Sequence, residues 1–214
     1  MIFLIERKKR TFDVVLFIAV ILLILFGLIM IYSASSIWAE YKFHDSFKYV
    51  KQQSLFIVIG IVLMITISKV DYTWYYKKTN IILAVCLFLL ILVLIPGIGS
   101  IRNGSRSWFG IGSFGIQPSE FAKLGLIIFT AKYLSNNNKF LKDIKKGVIP
   151  ILIVLFTVFG LIMLQPDFGT GMIIVVSILA MLFIAGVNIK FFIGLGVLGV
   201  GGIVGLIMIA PYRM

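Results

Sequence analysis

Long apolar runs with almost no charged side chains limit the fold of this chain more than any other feature of its sequence. The run 14–32 contains no charged residue. A helix needs about 20 predominantly apolar residues to cross the ~30 Å hydrocarbon core of a bilayer. Seven segments approach this pattern, at 14–32, 54–68, 81–95, 118–134, 149–164, 171–187 and 191–210. With 61% hydrophobic residues and none of the strand-type alternation of a membrane barrel, the sequence predicts an all-α, polytopic helical membrane protein.

The net charge of +12 belongs mainly to residues at the ends of the apolar segments. This placement favours a role in topology and in contacts with anionic headgroups, and it argues against nucleic-acid binding. With the N-terminus in the cytoplasm, thirteen Lys and Arg residues fall on the inner side and six on the outer side. The sequence therefore predicts a cytoplasmic N-terminus, a retained first helix, a basic inner connector at 135–147, and outer loops at 33–53, 96–117 and 165–170.

Few of the usual catalytic or cofactor signatures occur in the chain. Cys86 is the single cysteine and His44 the single histidine, so neither an internal disulfide nor a multi-histidine zinc site is expected. The sequence has no phosphate-binding loop, dinucleotide fingerprint or nucleophile elbow. No organic cofactor is indicated, and a divalent cation stays an open option.

Three charged residues lie at the predicted outer edges of membrane spans: Glu120, Lys123 and Asp167. An ionisable group at this depth is costly unless it is paired or hydrated, so each is a candidate functional residue. Pro118 suits the first position of a helix, which places Glu120 in the first turn near the positive end of the helix dipole. The spacing of Gln117, Glu120 and Lys123 predicts one polar face, with Glu120 and Lys123 close enough to pair.

The stretch Gln165-Pro166-Asp167 repeats the pattern of Gln117-Pro118 and predicts a second outer helix start with a carboxylate in its first turn. Two such starts could line one polar cavity that opens outward. The alternative is that Glu120–Lys123 is a structural pair and Asp167 a helix cap. In the loop before them, Arg106 and Trp108 suit either anchoring at the membrane interface or gripping a phosphorylated lipid headgroup.

Three stretches resemble the SEDS family (shape, elongation, division, sporulation), which contains FtsW, RodA and SpoVE. They are GLIMIYSASS at 27–36, LVLIPGIGSIRNGSRSWFGIGSFGIQPSEFAKLGLIIFTAKYLS at 92–135, and GLIMLQPDFGTG at 160–171. The forms VLIPGIG and NGSRSW are more similar to the FtsW and SpoVE branch than to the elongation branch. The family's motif residues correspond to Arg106, Trp108, Gln117, Pro118, Ser119, Glu120, Lys123, Gln165, Asp167, Gly169 and Thr170.

The resemblance implies a peptidoglycan glycosyltransferase that polymerises lipid II at the outer face of the bacterial cytoplasmic membrane, in cell division or sporulation. It also implies a class B penicillin-binding transpeptidase and other divisome membrane proteins as partners. The glutamate and lysine of the QPSExxK motif, here Glu120 and Lys123, would line the central cavity, and the other motif residues would bind substrate or shape that cavity.

The chain differs from the family pattern in length. SEDS proteins usually have about ten spans, and their proposed catalytic aspartate lies in a large outer loop that would follow Met214. We therefore expect residues 1–214 to be a single SEDS-type transmembrane domain truncated at its C-terminal side, without glycan-polymerising activity alone. Two alternative functions stay open: a lipid II translocator, and a non-catalytic scaffold for a transpeptidase.

Overall fold

The computed structural model describes residues 13–102, 104–110, 115–141 and 143–196, and it is mainly helical. Six helices have defined ends: α1 (Val14–Phe43), α2 (Lys48–Ser68), α3 (Tyr72–Leu94), α4 (Pro118–Asn136), α5 (Ile149–Met163) and α6 (Phe168–Ile184). A seventh, α7, begins at 189 and is helical as far as 196. The rest of the predicted segment 191–210 lies outside the described residues. The predicted all-α class is confirmed.

Two short strands and two irregular turns complete the described elements. The strands β1 (Ser100–Arg102) and β2 (Ser105–Trp108) form an antiparallel hairpin between α3 and α4. A 3₁₀ turn (Asn138–Phe140) and a π-helical turn (Ile144–Val148) join α4 to α5. The predicted basic connector at 135–147 is therefore partly helical. Asp143 begins its second turn, because its side chain accepts a hydrogen bond from the Lys145 N–H at 2.9 Å.

Several helices are longer than the apolar runs that predicted them, so two predicted loops are wrong. The expected outer loop 33–53 shrinks to the four residues 44–47, because α1 continues to Phe43 and α2 begins at Lys48. The gap 69–80 between two predicted apolar segments likewise shrinks to residues 69–71, because α3 begins at Tyr72 and contains Lys77 and Lys78. A helix satisfies its own backbone hydrogen bonds in water as well as in lipid, so it need not end where its hydrophobicity ends.

Among the described residues, four helical segments are long and apolar enough to cross a membrane: Val14–Phe43, Lys48–Ser68, Tyr72–Leu94 and Ile144–Met163. The apolar helix Phe168–Ile184 is shorter. The helix α4 carries three charged residues, Glu120, Lys123 and Lys132, which lower its hydropathy. The same charges make α4 the most polar of the four helices α3, α4, α5 and α6.

The chain divides after Asp71 into two compact units. In the first unit α1 packs against α2. In the second, α3 packs on α4, α5 packs on α6, and α4 contacts both α5 and α6. The buried positions recur about every three or four residues along α3, α4, α5 and α6, as in Ile151, Leu155, Val158 and Ile162 of α5. Apolar residues also cover the opposite, exposed faces, as expected for helices whose outer surfaces contact lipid.

The α1–α2 connection is organised by Asp45. Its carboxylate accepts hydrogen bonds from the Phe47 N–H at 3.1 Å and from the Lys51 ammonium at 2.9 Å. The hydrogen bond from Lys51 is the main cause that lowers the pKa of Asp45 below its usual range. His44 precedes it with φ 53°, and its N–H bonds to the Glu40 carbonyl to close α1.

We predict that the Asp45 carboxyl titrates below the ~3.9 of an unperturbed aspartate. A lowered pKa gives stability that is present above the ordinary value and is lost as the pH falls through the lowered value. Lys51→Met should move the pKa of Asp45 back up, and Lys48→Met should move it less, because Lys48 acts only through charge at longer range. Carboxyl-carbon NMR of selectively labelled protein measures both; an unchanged pKa in Lys51→Met would contradict the assignment.

We predict that Gly125→Leu destabilises the α3–α4 packing. A Cβ at Gly125 would lie 3.0 Å from the Cys86 Sγ, so a larger side chain would force the helices apart. The expected cost is about 1–3 kcal/mol, read as a lower thermal unfolding midpoint in detergent. Gly160→Leu in α5 is the matched control, because a Cβ there meets nothing within 4 Å. Equal midpoints for the two variants would show that this contact is not tight.

Candidate functional site

The starts of α4 and α6 are joined by one side-chain hydrogen bond. The amide Nε2 of Gln117, the N-cap residue of α4, donates to Asp167 Oδ2 at 2.7 Å. The other oxygen, Asp167 Oδ1, accepts from the Thr170 N–H at 3.2 Å and caps α6. A carboxylate at this position is stabilised by the positive ends of nearby helix dipoles. The two helix starts that the sequence predicted as neighbours therefore touch.

Asp167 lies one position earlier than predicted. The sequence pattern placed it in the first turn of a helix opened by Pro166, but α6 begins at Phe168 and Asp167 is its N-cap. An N-cap side chain can accept from a backbone N–H of the first turn only because its own backbone is outside the helix. Asp167 is therefore both a cap and the partner of Gln117, so capping does not by itself argue against a role in the site.

The ion pair predicted from spacing is present on α4. The ammonium of Lys123 lies 2.9 Å from each carboxylate oxygen of Glu120. The Lys123 side chain is 22% exposed and that of Glu120 is 53% exposed, so the pair lies at the edge of the packed helices. Gln117 turns to Asp167 instead of joining this pair. The polar face of α4 is thus divided between two contacts at one end of the helix.

The residues before α4 form a hairpin that the sequence reading did not predict. Ile101 pairs with Arg106, and Arg102 with Ser105. A further backbone bridge joins Phe109 to Ile116, with N–H···O distances of 2.8 and 2.7 Å. The missed signal was the dipeptide Asn103-Gly104, which is typical of tight hairpin turns; Gly104 has the positive φ, 81°, that such turns need.

Two serines hold the hairpin against the α5–α6 turn. The Ser105 hydroxyl donates to the backbone carbonyl of Gln165 and lies 2.9 Å from the hydroxyl of Ser107. Gln165 is fully buried, and its Nε2 reaches the Leu90 carbonyl of α3 at 3.4 Å. Gly99 passes so close to α3 that a Cβ would lie 1.9 Å from the Val93 carbonyl oxygen. Ser105 and Ser107 were not predicted as site residues, although both lie in the NGSRSW stretch.

Arg106 and Trp108 flank Ser107 on β2 at an irregularity of the hairpin register, where Arg106 pairs with Ile101 and Trp108 pairs with Ser100. Both are half-buried. The Trp108 carbonyl accepts from the Ser100 hydroxyl at 3.0 Å. Within the described residues, Arg106 forms no ion pair with an acidic side chain. The hairpin therefore carries a half-buried guanidinium, a group suited to binding an anion.

The predicted residues do not all lie on an open surface. Ser119 and Gln165 are completely buried, and the Ser119 hydroxyl and Gln165 Oε1 have no hydrogen-bond partner among the described residues. Glu120 is exposed, whereas Gln117, Asp167 and Thr170 are half-buried. Among the residues that the structure describes, no group of three His, Cys, Asp or Glu side chains is placed to hold a metal ion.

A comparison with protein families matches residues 13–214 to the FtsW/RodA/SpoVE model, described as "Cell cycle protein". The chain belongs to this family. Stage V sporulation protein E of Bacillus subtilis is 49% identical over 97% of the chain and 57% of that protein. A probable peptidoglycan glycosyltransferase FtsW of Saccharophagus degradans is 37% identical over 95% of the chain and 53% of that protein. Similarity to SpoVE and FtsW members confirms the predicted branch.

Solved structures agree with the family's helical membrane fold. The crystal structure of the rod shape determining protein RodA of Thermus thermophilus aligns with a TM-score of 0.62, at 25% identity, over 83% of the chain and 57% of RodA. A chain from a peptidoglycan synthase complex aligns with a TM-score of 0.65 at 22% identity, over 88% of the chain and 55% of its own length. The chain is thus a multi-pass membrane protein that spans about half the length of these relatives.

We predict an energetic coupling between Gln117 and Asp167. Asp167→Ala should lower the unfolding free energy by about 1–3 kcal/mol through loss of a cap and of a buried hydrogen bond. In a double-mutant cycle with Gln117→Ala, we expect a coupling of roughly 1 kcal/mol or more. Unfolding in detergent measures both values.

Asp143→Ala is the matched control for this cycle, because Asp143 also caps a helical turn but, among the described residues, has no contact with Gln117. It should show only the cap loss and no coupling to Gln117→Ala. A coupling equally small for Asp167 would mean that the 2.7 Å contact does not hold the two helix starts together.

Proposed function

We propose that this chain is the N-terminal part of a peptidoglycan glycosyltransferase that polymerises lipid II at the outer face of the bacterial cytoplasmic membrane, in division or sporulation. The observation that carries the proposal is the Gln117–Asp167 contact, which brings two helix starts and the Glu120–Lys123 pair to one end of the helices. Family membership and relatives named peptidoglycan glycosyltransferases support it.

The charges at this end suit a substrate with a pyrophosphate. Lys123 and Arg106 supply positive charge, and two helix N-termini add backbone N–H groups and dipoles. Such groups would offset the charge that develops on the pyrophosphate-lipid as it leaves. Glu120 would hold Lys123 in place, because it contacts the ammonium with both carboxylate oxygens. Gln117, Asp167 and Thr170 would keep the cavity wall in shape.

The proton-transfer step would be carried out by a residue beyond these 214. A carboxylate takes the proton from the acceptor sugar hydroxyl as that oxygen attacks the anomeric carbon of the donor. By resemblance to the family, this aspartate would lie in an outer loop after Met214. Residues 1–214 would then be one SEDS-type domain that supplies the binding wall, with a cytoplasmic N-terminus and a class B penicillin-binding transpeptidase as partner.

A translocator of lipid II is the second candidate. It is favoured by the paired proline-marked helix starts with charges at the edges of spans, a pattern found around transporter sites. Flipping of labelled lipid II in liposomes without polymer formation would support it over the polymerase. Co-purification with a transpeptidase in the absence of any lipid binding would instead support a scaffold.

We predict that Glu120→Ala, Lys123→Ala and Asp167→Ala each lower lipid II polymerisation by a full-length parent at least tenfold, since loss of one preorganised charge at a reacting centre typically costs ~10²–10³. Glu40→Ala, an exposed acid of α1, is the control and should keep full activity. Gel analysis of glycan chains measures the product. Full activity in all three variants would contradict the roles assigned to these residues. Glycan polymer made by residues 1–214 alone would contradict the proposal that the catalytic aspartate lies after Met214.

A further inference from the structure

The first unit contains an apolar groove that the proposed glycosyltransferase site does not use. It has a volume of about 330 Å³. Its lining residues are Ile24 of α1 and Gln53, Phe56, Ile57, Gly60, Ile61 and Met64 of α2. A Cβ added at Gly60 would meet no atom within 4 Å, so the glycine leaves the groove open.

The groove has the depth of one bilayer leaflet. Its polar end, Gln53, comes directly before the apolar part of α2, which begins after Ser54. From Gln53 to Met64 the helix rises ~16 Å, and half of the hydrocarbon core measures ~15 Å. On α1, Ile24 lies ~12 Å below the end of the apolar run at Tyr32. The groove thus runs from the headgroup boundary to about the bilayer midplane.

Lys48 precedes Gln53, the polar end of the groove, by five residues on α2, and Lys42 lies near it at the α1–α2 corner, where aromatic rings contact both ammonium groups. The Lys42 ammonium lies 5.5 Å from the Phe43 ring centroid and 5.7 Å from that of Trp38. The Lys48 ammonium lies 5.8 Å from the same Phe43 ring. Trp and Tyr residues commonly mark the headgroup region, and Trp38 and Tyr49 occur here.

Neither of these two lysines is in direct contact with a carboxylate among the described residues, although Lys48 interacts with Asp45 through charge at longer range. The Asp45 carboxylate pairs with Lys51 at 2.9 Å, and in the described residues neither Lys42 nor Lys48 forms an ion pair. Glu40 lines a different groove, with Ser36, Ile37, Tyr41 and Ser46. A contact with an aromatic ring leaves ammonium N–H donors available for phosphate oxygens. The sequence alone identified Lys42 and Lys48 only as outer-side charges.

We propose that the α1–α2 groove holds one acyl chain of an anionic phospholipid whose phosphate is bound by Lys42 and Lys48. The leaflet-deep length of the groove and the unpaired cations at its headgroup end match a single lipid of the adjoining leaflet. This site belongs to the first unit and does not depend on the proposed polymerase activity.

The first test uses the full-length protein and native mass spectrometry with dioleoylphosphatidylglycerol or dioleoylphosphatidylcholine. We expect the wild type to retain the anionic lipid preferentially. Lys42→Gln and Lys48→Gln should each weaken retention of phosphatidylglycerol about fivefold, from the loss of one cation near an anionic headgroup. The single variants Lys139→Gln and Lys145→Gln, on the exposed α4–α5 connector, are the charge-matched controls and should each retain the lipid as the wild type does.

The second test separates chain binding from charge. Gly60→Leu should fill the groove and weaken retention of both lipids without changing the preference between them. Gly27→Leu makes the same substitution in α1 at a glycine that does not line the groove and also has no atom within 4 Å of an added Cβ. Equal effects of the two leucines, or equal effects of the two lysine sets, would overturn the proposal.

A photo-reactive benzoylphenylalanine at Ile61 identifies the occupant in membranes directly. A cross-link to phospholipid is the expected product. A cross-link to a polypeptide, whether a second copy of this chain or another membrane helix, would show that protein covers the groove and would falsify the lipid site.

Discussion

The hydrogen bond between the Gln117 amide and the Asp167 carboxylate is the contact on which the arrangement of the proposed site depends. It joins the starts of α4 and α6, which are separated by 50 positions in the chain. The same carboxylate caps α6 through Thr170. Because one side chain performs both tasks, the orientation of α6 and its distance from α4 are set together. The Glu120–Lys123 pair then lies beside two ordered helix ends instead of two independent loops.

A second set of contacts attaches the hairpin to this end of the helices. Ser105 bonds to the Gln165 carbonyl, and the Gln165 amide reaches Leu90. Gln165 therefore links the hairpin, the α5–α6 turn and α3 within one unit. In a membrane protein such polar contacts are costly to leave unmade, which gives them influence over geometry that surface hydrogen bonds lack.

The first unit uses charge differently. At the α1–α2 corner one lysine is paired with Asp45, and two others rest on aromatic rings without direct contact with a carboxylate among the described residues. The helix pair beneath them buries little of its own surface, with no buried position in α2 and only Ala39 in α1. Its apolar residues are thus arranged for contact with something other than this pair, and the groove at Gly60 is where we propose that lipid binds.

The sequence by itself determined the helical membrane class, the family, the spacing that pairs Glu120 with Lys123, and the presence of a helix start near each of the two Gln-Pro pairs. Each of these depends on local periodicity or on motif residues, which a linear pattern contains. Helix ends were less predictable, because hydrophobicity ends at 32 in α1 while its backbone hydrogen bonds continue to Phe43. The Asn103-Gly104 hairpin was predictable in principle and was missed.

Only the tertiary structure decided that Gln117 turns away from Glu120 towards Asp167, that Ser119 and Gln165 are buried, and that Ser105 holds the hairpin. These outcomes depend on which groups from distant segments meet. A side chain with several polar groups nearby forms its hydrogen bond with one of them only when the helices have packed.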